Sequence, residues 1–110
     1  MKHFAANYVF TGCNFIRNCC LSFSDDGRLV EIGEENSSLL ERERMIFLNG
    51  ILCPHFDAKS IENKKLTLKD LLSSLGLHFD KNTHLPIVLL ENVDLQTLNF
   101  TNETIAKEIY

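Results

Sequence analysis

A mainly β fold is what this sequence predicts: a β-sandwich or half-barrel of about six or seven short strands with one short helix. Three observations predict it. Apolar residues fall in short runs bounded by Gly, Pro, Asn and Asp, which is how strands punctuate a sequence. Asp26-Gly27 separates two of these runs, and Gly accepts the positive φ that a tight hairpin turn requires. A single stretch, carrying Leu68, Leu71, Leu72 and Leu75, has its apolar residues at helical spacing.

The elements follow in order. Residues 4–11 read as a strand, interrupted by Gly12 and Asn14. Residues 18–23 form a second apolar run, and Ser24-Asp25-Asp26-Gly27 turns the chain into a return strand at 28–33. Val30 and Ile32 point to one side of that strand, Leu29 and Glu31 to the other. Residues 34–44 are a polar connector. A third β pair is expected from 45–48 and 51–53, with Asn49-Gly50 as a tight turn or a bulge. Pro54 cannot donate to a ladder and ends the run. Thr67 is a suitable N-cap, with Asp70 three residues on, and Gly76 stops the helix that follows. After a loop at 78–86, Ile87-Val88-Leu89-Leu90 suits a central strand. Residues 94–98 read as a turn or one helical turn. Residues 104–110 read as a last strand with Ile105, Lys107 and Ile109 on one face, or as a C-terminal helix.

The chain has 110 residues, enough for one domain with a modest core. Eleven Lys and Arg against fifteen Asp and Glu give a net charge of −4, which argues against nucleic acid as a partner. The run Glu41-Arg42-Glu43-Arg44 alternates in sign and reads as a solvated face. The N-terminus lacks the apolar core of a signal peptide, and no run approaches the ~18 apolar residues of a membrane span. A cytoplasmic location without membrane contact is the expectation. Cys13, Cys19, Cys20 and Cys53 fit no zinc spacing and read as small buried hydrophobes in a reducing compartment. No phosphate-binding loop or dinucleotide fingerprint is present.

The order of the segments carries further information. Ala6-Asn7-Tyr8-Val9-Phe10 precedes the hairpin at 24–33, and a short strand then leads into Asn49-Gly50-Ile51-Leu52-Cys53-Pro54-His55-Phe56. Near the other end stands Leu85-Pro86-Ile87-Val88-Leu89-Leu90-Glu91-Asn92-Val93-Asp94-Leu95. This series resembles the small composite β domain of the amidohydrolase superfamily of metal-dependent hydrolases. In that family the first strands lead into a catalytic barrel through a motif of the form Pro-Gly-Phe/Leu-Ile/Val-Asn/Asp-x-His-x-His, and a later strand returns to the small domain. The resemblance covers residues 4–56 and 85–110.

The departures bear on function. With Pro54 on the motif's proline, His55 replaces the family's Gly and Phe56 matches. Asp57 takes the apolar position, Ala58 the Asn/Asp position, and Ser60 and Glu62 the two metal-binding histidine positions. Sliding Asp57 onto the Asn/Asp position puts Lys59 and Ile61 there instead. Only residues 57–84, 28 positions, separate the two halves, too few for a barrel. The resemblance therefore implies the small domain alone: residues 1–56 as N-terminal strands, 57–84 as a linker with a short helix replacing the barrel, and 85–110 as returning strands. It implies no catalytic residue, no metal ligand and no cofactor.

Two weak candidate sites come from the residues themselves. His55 and Asp57 form an H-x-D pair, but a hydrolytic metal needs about three or four protein ligands. Cys53 and His55 would share a face if the strand continued, but no elbow or oxyanion motif accompanies them. Packing is the expected role of Cys53. A β domain that has lost its barrel exposes an apolar surface, so protein association is the expected function, with a homodimer or a partner chain covering it. The alternative is a residual hydrolase whose metal or nucleophile comes from another chain; a third reading is a small-ligand module using a pocket left under the helix, and a fourth a decayed fragment that folds without a selected task.

Overall fold

The computed structural model of the chain describes residues 2–12, 14–17, 19–34, 45–57, 67–80 and 82–109. The elements are β1 (Lys2–Phe10), β2 (Phe15–Ile16), β3 (Cys19–Phe23), β4 (Leu29–Glu34), β5 (Met45–Cys53), α1 (Leu68–Ser74), β6 (Ile87–Glu91) and β7 (Ile105–Ile109). The fold is mainly β, in keeping with a small β-sandwich or half-barrel. All strands belong to one mixed sheet in the order β4-β3-β1-β5-β6-β7, with β2 paired to β1. β1 and β5 are parallel, and the other pairings are antiparallel.

The hairpin forms where Asp-Gly predicts it. Gly27 adopts φ 85°, its N–H donates to the Ser24 carbonyl at 2.9 Å, and the Ser24 N–H donates to the Arg28 carbonyl at 2.8 Å. Of the two outcomes expected at Asn49-Gly50 the bulge forms, not the tight turn, so residues 45–53 make one continuous strand rather than a pair. The β1–β5 register passes from Ala6↔Leu48 to Tyr8↔Ile51, so β5 spends one extra residue there. Gly50 has φ 137°, and a Cβ on it would collide with the Leu90 carbonyl. Its N–H is held by the Asn7 side-chain carbonyl at 2.8 Å.

β1 contributes apolar side chains to both faces of the sheet. Phe4 and Ala6 face one cluster, Tyr8 and Phe10 the other, and Val9 the first again. A strand inside a sheet covered on both faces has no solvent side to mark with polar residues.

The sheet curls. β4 and β6 are separated by three strands, yet the residues that lead into β6 reach the start of β4. The Leu29 N–H donates to the Thr83 carbonyl at 2.9 Å, and the Leu85 N–H donates to the Gly27 carbonyl at 2.8 Å. The curled face holds Phe4, Leu21, Phe23, Leu29, Leu52, Ile87 and Leu89, with Phe79 and Leu85 packed against them.

The opposite face is covered by α1. Thr67 caps it, its hydroxyl accepting from the Asp70 N–H at 3.2 Å. Leu68, Leu71 and Leu72 pack with Tyr8, Phe10, Ile51, Cys53, Val88 and Leu90. Val93, Leu95, Leu98 and Phe100 from the β6–β7 connection complete this cover. The helix predicted at 67–75 and the last strand predicted at 104–110 are both present, the latter as β7. The two-residue β2 is an addition; Gly12 and Asn14 turn the chain rather than merely ending a strand. No helix among the described residues is long and apolar enough to cross a membrane.

Candidate functional site

The end of β5 carries the three residues singled out in the sequence. Cys53 is the last residue of the strand, opposite Val88, and is fully buried in the helix-side cluster. Its thiol lies 3.9 Å from the Ile51 carbonyl. Burial pushes its pKa far above the ordinary thiol range. A thiol that stays protonated is a poor nucleophile. Packing, the role expected of Cys53, is where the structure places it.

His55 is exposed, and its Nε2 stands 3.1 Å from Glu108 Oε1 on β7. The face that Cys53 and His55 would share on a continuing strand does not form. The strand stops at Cys53, Pro54 diverts the chain, and Phe56 turns back into the core while His55 and Asp57 stay exposed. Sequence order put Cys53 and His55 two residues apart; the end of the ladder sends one inward and the other outward. Among the described residues, no three His, Cys, Asp or Glu side chains gather so as to hold one metal ion. Ser60 and Glu62, at the family's ligand positions, lie outside the described residues.

Strand pairing creates a polar contact that sequence reading missed. His3 and Ser22 are opposite each other on β1 and β3, both buried, with His3 Nδ1 2.7 Å from Ser22 Oγ. Glu31 follows in the same row on β4. His3 and Ser22 stand nineteen positions apart, and only antiparallel register brings them together. The row has serine in the middle. A catalytic triad needs the histidine there, between nucleophile and acid. Ser22 is also buried, and the pair ties β1 to β3.

Two concave places are formed by described residues. One, of about 290 Å3, runs along the edge of the sheet and is lined by Leu29, Val30, Glu31, Ile32 and Asp80. The other, of about 400 Å3, lies between the β1–β2 turn, the start of α1 and the 94–99 turn.

Four of the seven large apolar side chains exposed among the described residues are on β4 and β5; Ile16, Leu75 and Ile105 are the others. Val30 is 49% exposed, Ile32 43%, Ile46 48% and Phe47 52%. Register arranges Ile32, Leu21, Phe4 and Ile46 in one row across four strands, the inner two buried and the outer two open. Only β3 pairs with β4 along its length; past Leu29 its outer side has no partner strand among the described residues.

No protein-family model, no curated protein and no solved structure matches this chain.

Proposed function

We propose that this chain is a non-catalytic β domain, resembling the small composite domain of amidohydrolases, that works by association with a second copy of itself or with a partner chain. The observation that carries the reading is the exposed apolar group on β4 and β5: Val30, Ile32, Ile46 and Phe47. Val30 and Ile32 lie on the open edge strand, where exposed apolar side chains favour pairing with another chain. The burial of Cys53, the engagement of His55 by Glu108 and the Ser60 and Glu62 found at the family's histidine positions support a role without catalysis. The buried free thiols of Cys19, Cys20 and Cys53 support a reducing, cytoplasmic setting. Sedimentation equilibrium at about 10–50 μM tests self-association, with a dimer expected. A monomer throughout that range removes self-association from the reading.

A second reading rests on the exposure of His55 and Asp57 at the end of β5, where the resemblance places the metal motif. In it the chain is one part of a metal-dependent hydrolase completed by another chain. Stoichiometric zinc in the purified protein favours this reading over the first.

A further inference from the structure

We propose that the cavity between the β1–β2 turn, the start of α1 and the 94–99 turn binds a small uncharged polyol with one apolar face, of monosaccharide size. The proposal is independent of the association reading, which concerns β4 and β5. The cavity measures about 400 Å3, at the small end of the range for small-molecule sites, which suits a single substituted ring.

Its lining has two kinds of chemistry. Phe15 and Leu98 supply apolar surface. The Phe15 ring is half-buried and packs against Phe10, with centroids 5.1 Å apart, so it is held in place rather than swinging free. Leu98 sits at φ 54°, a conformation that is costly for a residue with a Cβ, and such costs concentrate where ligands bind.

Three of the other lining residues, Asn99, Thr67 and Lys69, carry donors. Asn99 Oδ1 accepts from the backbone N–H of Leu68 at 3.0 Å and of Phe100 at 2.9 Å, which fixes the amide and leaves its NH2 as the group to offer. Thr67 Oγ1 accepts from the Asp70 N–H, so its own proton is the one left to give. Lys69 adds an exposed ammonium, and none of the lining residues among those described is a carboxylate. Donors beside an aromatic side chain suit hydroxyl oxygens on a ring whose C–H side is apolar.

The test is a backbone-amide NMR titration of the full chain with D-glucose, D-galactose and N-acetyl-D-glucosamine, each to about 20 mM. The expected result is a saturable shift of the Phe15, Leu98 and Asn99 signals with at least one of the three. Lys69→Ala, an exposed change, and Phe15→Leu, which keeps the contact with Phe10, should each weaken that binding by about threefold to tenfold. If Phe15→Leu melts earlier than the wild type, Lys69→Ala alone decides. No saturable shift with any of the three sugars overturns the proposal, as does full affinity in Lys69→Ala.

Discussion

β6 and β4 look alike in the sequence and behave differently in the fold. One reads Ile87-Val88-Leu89-Leu90, the other Leu29-Val30-Glu31-Ile32, and both are short and apolar. Every one of the first four residues of β6 is buried, whereas Val30 and Ile32 are roughly half exposed. β6 has β5 on one side and β7 on the other, with α1 and the β6–β7 connection over one face and Phe79 and Leu85 over the other. β4 has β3 alone along its length. Position in the sheet, rather than hydrophobicity, makes one strand a core element and the other a candidate contact surface.

The largest effect that would break this comparison is a charge in β6. Leu89→Asp places an unpaired carboxylate in the curled core, and we expect a loss of about 4 kcal/mol or more, enough to unfold much of the population. Circular dichroism and thermal melting read this directly, and a folded, soluble Leu89→Asp protein would show that the core is misplaced. Next comes the helix-side cluster. Leu72→Ala removes a fully buried side chain and should lower stability by about 2–5 kcal/mol in urea titrations. A loss below about 1 kcal/mol would mean that α1 does not seal that face.

A smaller effect is expected at alkaline pH. The Cys19 thiol, ordinarily at 9.0, is pushed up to about 11, first by burial and second by the neighbouring Cys20. The unfolded chain therefore releases this proton before the folded chain does. Stability should be unaffected by this group below about pH 9 and should fall as pH rises from there toward 11. Comparing urea midpoints at about pH 8 and about pH 10.5 for wild type and Cys19→Ala measures it. An equal alkaline loss in both proteins would assign the effect elsewhere. The smallest expected change in stability, within about 0.5 kcal/mol, is that of Ile32→Lys on the open strand. The same variant should shift the sedimentation profile toward monomer. A variant that unfolds would place Ile32 in the core, and a dimer as tight as the wild type's would place the contact elsewhere.

Much of the fold was legible in the residues because its signals are local. Asp26-Gly27 reports the hairpin through Gly27's positive φ, and Thr67 with the leucine spacing reports α1 through a cap and a periodicity of a few residues. Asn49-Gly50 was ambiguous for a physical reason. The same dipeptide serves a tight turn and a bulge, and the choice lies with Leu90 and Asn7, which are distant in the chain. The site was less legible. Cys53 and His55 look like neighbours, and only the end of the β5 ladder at Pro54 separates them. His3 and Ser22 look unrelated, and only the β1–β3 register joins them. The cavity beside α1 draws on three segments far apart in sequence, so no motif announces it.

By itself the sequence determined the strand-rich class, the hairpin, the capped helix and the apolar β6, because each depends on φ preferences and spacing within a few residues. Tertiary structure alone decided the strand order, the curl that brings 83–85 onto the start of β4, the single bulged β5 and the exposure of Val30, Ile32, Ile46 and Phe47. Those depend on which backbone donors and acceptors meet across the sheet, and such meetings are made between residues dozens of positions apart.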